Sequence, residues 1–146
     1  MIAPTFVDTN ILLYHWDASE PVKRGRAIDW LRRLAEERAG RVSFQVLAEF
    51  YVNATQKLRK PIARADAQAY VRTFFAWMPV AIDEDVLDAA WRVQDRFKLA
   101  WWDALIVGAA QRAGCQALLS EDFQAGQQFG DVTVVNPFAT PPPEAP

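Results

Sequence analysis

Four acidic residues occupy positions from which they could bind a divalent cation together. Asp8 and Asp122 each follow an apolar run typical of a buried strand, Asp103 opens a helical stretch, and Glu49 lies within a helical pattern. Carboxylates that converge repel one another, so a cation must neutralise them if they meet in the fold. Carboxylate oxygens are hard ligands that suit Mg²⁺ or Mn²⁺ and not zinc, which favours histidine and cysteine. The sequence therefore predicts a Mg²⁺ or Mn²⁺ site built from these four acids.

Three of the acids also have an ordinary structural interpretation. Asp8 could cap the turn that follows it, and Asp103 could cap its own helix. The preceding Trp101-Trp102 pair predicts partial burial of Asp103, which would raise its pKa unless a cation held it charged. Glu49 has apolar neighbours on its helical face, so a buried position would require a partner, although a surface position is also possible. Only convergence in space would distinguish a ligand set from separate caps.

Polar neighbours of the acids could support such a site. Thr9 and Asn10 directly follow the first acid and could orient a carboxylate or a metal-bound water. Glu121 and Asp122 compete for a single role near the end of the chain. We favour Asp122 because the Ser120 hydroxyl, two residues earlier, could support it.

Strands alternate with helices along the chain, which predicts a three-layer α/β/α fold around a central, mostly parallel sheet. Ligands of such sheets bind at the carboxyl ends of the strands. The apolar patterns place strands at 4–8, 41–44, 79–82, 116–119 and 132–135, and helices at 19–40, 45–58, 66–77, 83–97 and 103–113. Residues 1–138 form one predicted domain, and the Pro-rich tail, residues 139–146, is predicted to be disordered.

Composition narrows the class of protein further. The 146 residues are 51% apolar, enough for one well-filled domain. No apolar run approaches the length of a membrane span, no secretory signal is visible, and the single cysteine suits a reducing compartment, so we expect a cytoplasmic protein. The chain has one histidine, His15, and one cysteine, Cys115, which nearly excludes zinc catalysis and Cys–His catalysis. We interpret both as structural residues.

The net charge of −2 conceals an uneven distribution. Residues 1–73 carry 12 Lys/Arg against 8 Asp/Glu, whereas residues 74–146 carry 4 against 10. The basic residues cluster at 23–26 and at 57–64, where they could hold a phosphate backbone or could simply be solvated helix faces.

The ordered set of motifs resembles the PIN-domain family of metal-dependent ribonucleases, and most closely its VapC branch, the toxins of bacterial toxin–antitoxin pairs. The segments that carry the resemblance are Phe6-Val7-Asp8-Thr9-Asn10-Ile11-Leu12, Leu47-Ala48-Glu49-Phe50, Trp102-Asp103-Ala104-Leu105-Ile106 and Leu118-Leu119-Ser120-Glu121-Asp122-Phe123. Each motif is loose by itself, but their order and separation are fairly specific. Ser120 stands where the family often has threonine, which keeps the hydroxyl.

The resemblance implies a function and a role for each acid. Asp8, Glu49, Asp103 and Asp122 would form the family's acidic quartet, with Asp8 and Asp103 as direct ligands of one or two Mg²⁺ or Mn²⁺ ions. Glu49 and Asp122 would complete the set or hold a metal-bound water, and hydrolysis of RNA would leave a 5′-phosphate. The resemblance also implies an antitoxin partner and a homodimer.

Two rival functions are weighed against this one. A non-catalytic PIN-type RNA-binding or scaffolding domain is the main alternative, although degenerate members usually lose acids that this chain keeps. A phosphatase of the haloacid-dehalogenase type would need a second aspartate where Asn10 stands.

Overall fold

The computed structural model describes residues 1–144, which form an α/β fold of five strands and six α-helices. The strands are β1 (Thr5–Val7), β2 (Gly40–Arg41), β3 (Ala117–Leu119), β4 (Gln128–Phe129) and β5 (Val132–Val135), and the helices are α1 (Thr9–Tyr14), α2 (Pro21–Glu36), α3 (Phe44–Gln56), α4 (Arg64–Thr73), α5 (Glu84–Phe97) and α6 (Trp101–Arg112), with a 3₁₀ turn at Phe74–Trp77.

The strands form one sheet in the order β2-β1-β3-β5-β4. Every neighbouring pair is parallel except β4 and β5, so the predicted α/β fold with a mostly parallel sheet is confirmed. The neighbours β1 and β3 are in register, with Val7 opposite Leu119. The residues that follow them, Asp8 and Ser120, therefore emerge side by side at the carboxyl edge of the sheet.

The helices pack in two groups. Helix α1 contacts α2 and α3, and α3 contacts α4, whereas α5 packs closely on α6. Gly108 of α6 permits this close approach, because a Cβ there would lie 3.0 Å from the backbone nitrogen of Ala90 in α5. The same contact fixes the position of α6, whose first turn carries Asp103.

The strand predicted at 79–82 is wrong. Only Val80 pairs, in an isolated parallel bridge with Ser43. Pairing does not extend because Met78, two residues before Val80, has a left-handed backbone with φ of 50°, and because Phe44 begins α3 directly after Ser43. The sequence patterns also missed β4, which has only two residues, and they started α6 two residues late.

The described part of the tail, residues 139–144, lies against the domain. The indole N–H of Trp30 donates to the carbonyl oxygen of Thr140 at 2.9 Å. Ala145 and Pro146, which also fall within the predicted disordered tail, lie outside the described residues. Within residues 1–144, no helix combines the length and apolar character needed to cross a bilayer.

Candidate metal centre

Asp8 is a buried carboxylate with two fixed donors. It is 5% exposed, and one of its oxygens caps α1 by accepting from the Thr9 N–H at 2.7 Å. The other oxygen accepts from the Ser120 hydroxyl at 2.6 Å. Burial raises the pKa of Asp8 to about 6, with smaller increases from Asp122 and Glu49, against the lowering effect of its two hydrogen bonds. Asp8 therefore caps α1, which is one of the two roles that the sequence left open, and its desolvation is compatible with the other, that of a cation ligand.

Glu49 projects from α3, half-buried, and is held by two side chains. The Thr9 hydroxyl donates to one carboxylate oxygen at 2.8 Å, and the Gln45 amide donates to the other at 3.0 Å. The Gln45 amide also donates to the Trp102 carbonyl at 3.2 Å, which ties α3 to the first turn of α6. Gln45 was missed in the sequence, although its position four residues before Glu49 places both on one helix face.

Asp122 lies in the loop after β3 and is exposed to solvent. The Asn10 amide donates to its carboxylate at 3.0 Å, and its own N–H donates to the Ser120 hydroxyl at 3.0 Å. The Oδ1 atom of Asn10 is buried with no donor within residues 1–144. An oxygen of this kind, beside carboxylates, is a further candidate contact for a cation or for its bound water.

Asp103 occupies the first turn of α6 but does not cap it, because the helix begins at Trp101 with Ala100 as its cap residue. Asp103 is largely exposed and Trp102 beside it is 61% exposed, so the burial of this carboxylate is limited. The partial desolvation still raises its pKa, as predicted, and the charges of Asp122 and Glu49 add to the increase.

The charges of Glu49 and Asp122 act on both Asp8 and Asp103. The four predicted acids therefore lie in one neighbourhood at the carboxyl edge of the sheet. As the side chains stand, no group of three or more His, Cys, Asp or Glu residues within 1–144 is arranged to hold a metal ion. Mg²⁺ does not require one, because it is usually bound by one or two carboxylates and completes its shell with waters and substrate phosphates. The donor set fits such a hard cation.

Glu121, the competing acid, is held away from the cluster by two partners. Lys23 of α2 donates to its carboxylate at 2.9 Å, and the Tyr14 hydroxyl donates to its other oxygen. Lys23 also donates to the Tyr14 hydroxyl at 3.2 Å. These contacts raise the pKa of Lys23 and keep it a cation, with the Glu121 carboxylate as the main cause. Of the two adjacent acids, only Asp122 remains available to the cluster.

Replacing Lys23 should disturb the site more than the fold. The Lys23–Glu121 pair is partly exposed, and such pairs contribute less than about 1 kcal/mol to stability. If the protein cleaves RNA as the family resemblance implies, Lys23→Ala should lower the cleavage rate several-fold, because an unneutralised Glu121 would lie beside Asp122 and compete for the cation. Lys23→Arg should retain most of the rate. Initial cleavage rates and urea unfolding of both variants test this, and equal loss of rate and stability would contradict it.

His15 and Cys115 take no part in the cluster. His15 caps the far end of α1 from Asp8, and its ring lies 4.9 Å from that of Tyr70. Cys115 is buried, free, and just ahead of β3, at the opposite edge of the sheet from the acids. Both residues fit the structural role that the sequence suggested.

The chain is similar to known proteins in its sequence family and in its fold. The family model described as PIN domain matches residues 5–127. A toxin–antitoxin complex from Klebsiella pneumoniae is similar in fold, with a TM-score of 0.59 and 21% identity over 91% of this chain and 97% of that one. VapC20 of Mycobacterium tuberculosis, described as a sarcin–ricin loop cleaving toxin, is also similar in fold. Its TM-score is 0.59 and its sequence identity is 22%, over 81% of this chain and 91% of that one. No curated protein sequence matches. The family match covers most of the chain, and the protein belongs to the PIN-domain family.

Proposed function

We propose that this protein is a Mg²⁺- or Mn²⁺-dependent endoribonuclease that acts as the toxin of a toxin–antitoxin pair. Membership of the PIN family and the likeness to a toxin described as cleaving the sarcin–ricin loop support a nuclease that acts on RNA. The observation that carries the proposal is the buried Asp8 carboxylate, whose pKa is raised to about 6 by burial and, to a smaller extent, by the charges of Asp122 and Glu49. An arrangement so unfavourable without a cation is typical of a site made to bind one.

In this proposal Asp8 and Asp103 contact the ion, and Glu49 and Asp122 complete the set. A bound cation would neutralise charge on the scissile phosphate and make water a better nucleophile. The chain's own part is to fix the ligands. Ser120 orients Asp8 at 2.6 Å, and the Thr9 hydroxyl orients Glu49 at 2.8 Å.

Cleavage assays test this function directly. Total RNA incubated with the purified protein and Mn²⁺ should acquire new 5′-phosphate ends, and EDTA should prevent their appearance. Mapping those ends would also identify the RNA and the cleaved sequence. RNA that binds but stays intact with Mn²⁺ would instead favour the non-catalytic RNA-binding or scaffolding domain.

The toxin assignment carries further proposals. The similar complex from Klebsiella pneumoniae supports an antitoxin protein as partner. We further propose a homodimer, as the family resemblance implies, and a cytoplasmic location, where the free Cys115 would stay reduced.

Cation binding should strengthen as pH rises. Asp8 binds a cation only when ionised, and its pKa of about 6 means that protons compete below that value. We expect Mn²⁺ affinity to be about tenfold weaker near pH 5 than near pH 7, and the raised pKa of Asp103 acts in the same direction. Isothermal titration of the wild-type protein measures this. Asp8→Asn should flatten the dependence, and an affinity independent of pH would contradict the assignment of Asp8.

A further inference from the structure

A second cavity, distinct from the carboxylates, lies between two loops at the other end of α1 and α3. One wall is the loop between α1 and α2, and the other is the loop between α3 and α4. Its volume is about 590 Å³, and its lining includes Trp16, Ser19, Leu58, Arg59, Lys60 and Ile62. Apolar surface and cationic side chains therefore border the same space.

The cations at this cavity are free to bind an external anion. Arg59 and Lys60 are exposed, and neither takes part in a salt bridge within residues 1–144. The one acid of the lining, Asp17, accepts from the Ser19 N–H at 3.0 Å and from the Ser19 hydroxyl. Its charge is thus partly satisfied locally. The unpaired charge at the cavity is positive.

Trp16 adds an aromatic side chain to the cavity wall. The ring is held in place, because Tyr70 packs edge-on against it at 5.4 Å. Its indole Nε1 is buried and has no hydrogen-bond partner within the described chain, so it presents no donor to the cavity. A fixed aromatic ring beside free cations is a surface against which a ligand can pack.

The cavity is connected to the acidic cluster through two helices. Helix α1 begins directly after Asp8 and has six residues, a rise of about 9 Å, before the loop that carries Trp16. Helix α3 carries Glu49 and ends at Gln56, just before the loop that carries Arg59. This separation is short enough for a single strand to contact both the carboxylates and the cavity.

We infer that this cavity binds one nucleotide of the RNA strand, with its phosphate on Arg59 and Lys60 and its base against the Trp16 ring. The inference rests on the proposed function and names a binding position for the same substrate away from the cut. Combined aromatic and cationic surface is how proteins hold single-stranded nucleic acid. An acidic peptide would also satisfy the cations, but the nearness of the cavity to the proposed cleavage site favours the RNA strand.

Binding of RNA without a divalent cation tests this subsite. The probe is a short fluorescein-labelled single-stranded RNA of mixed sequence, measured by anisotropy in EDTA. We expect Arg59→Ala with Lys60→Ala to weaken binding about tenfold and to reduce the salt slope by about 0.7 for each phosphate that is no longer neutralised. Trp16→Phe, which reduces the aromatic surface against which the base would pack, should weaken it about threefold.

The matched control is Arg32→Ala with Arg38→Ala, which changes the net charge equally. Both control arginines are exposed and lie between the middle of α2 and the start of β2, at the opposite edge of the sheet from the acids. Equal RNA affinity of the two double variants would overturn the inference. Binding of labelled polyglutamate, measured in the same way, gives a second readout. If Arg59→Ala with Lys60→Ala abolishes polyglutamate binding but leaves RNA binding unchanged, the cavity binds an acidic protein and the inference is wrong. Absence of Mn²⁺-dependent cleavage would refute the proposed nuclease activity but not the RNA subsite, because the binding assay contains no metal.

Discussion

Asp8→Asn should abolish RNA cleavage and, at the same time, make the metal-free protein more stable. Cleavage should fall by a factor of about 10³ or more, because a neutral amide is a poor ligand for a hard cation. Stability should rise because Asp8 is 5% exposed and its pKa is raised from 3.8 to about 6. That shift corresponds to about 3 kcal/mol against the ionised form at neutral pH. We expect a gain of about 1–3 kcal/mol in the free energy of unfolding, since an amide oxygen can still accept from Ser120 or Thr9.

The pH dependence separates this explanation from a simple capping role. The pKa of Asp8 is higher in the folded protein than in the unfolded chain. The wild-type protein is therefore stabilised by protonation at low pH, and that contribution is lost as pH rises through about 6. The stability difference between Asp8→Asn and wild type should be large near pH 7 and small near pH 4 in urea unfolding with EDTA. A variant that is less stable at both pH values would mean that Asp8 serves mainly as the cap of α1.

Asp103→Asn should also abolish cleavage but should leave stability nearly unchanged. Asp103 is exposed, so ionisation there is far less unfavourable than at Asp8. Its raised pKa reflects partial desolvation and the nearby Asp122 and Glu49 charges. If it binds the cation as proposed, losing its charge removes a ligand and weakens both metal binding and the rate. We expect a loss in rate of about 10² or more.

The control for Asp103 is Asp131→Asn, the same chemical change at another exposed acid. Asp131 precedes β5 and so lies at the opposite edge of the sheet. Rates of RNA cleavage and Mn²⁺ affinities should separate the two variants clearly. If Asp103→Asn cleaves RNA as fast as Asp131→Asn does, Asp103 is not a ligand.

Much of the fold was accessible from apolar periodicity, and the errors have physical causes. Strands β1, β3 and β5 are short apolar runs buried in the sheet, and their patterns are strong. The segment at 79–82 has the same apolar character, but the left-handed backbone of Met78 and the start of α3 at Phe44 leave only Val80 able to pair. Strand β4 exists through its pairing with β5 in a hairpin and has too few residues for any pattern.

The site was only partly accessible from sequence. Gln45 could have been found by its helical spacing from Glu49, with which it shares a hydrogen bond of 3.0 Å. Lys23 had no such signal, because its partner Glu121 is 98 residues away. The choice between Glu121 and Asp122 depends on that ion pair. Burial of Asp103 was predicted from adjacent tryptophans, but Trp102 faces solvent.

The sequence alone determined which residue types are available and where each lies relative to a strand end or helix start. Periodicity and ligand chemistry are local, so four acids, one histidine and one cysteine were enough to predict a hard-cation site. The tertiary structure decided how these acids are positioned. Parallel pairing of β1 with β3 brings the Ser120 hydroxyl to Asp8, and packing of α1 against α3 lets the Thr9 hydroxyl donate to Glu49. It also decided which acid is desolvated, because burial depends on residues that are distant in the chain.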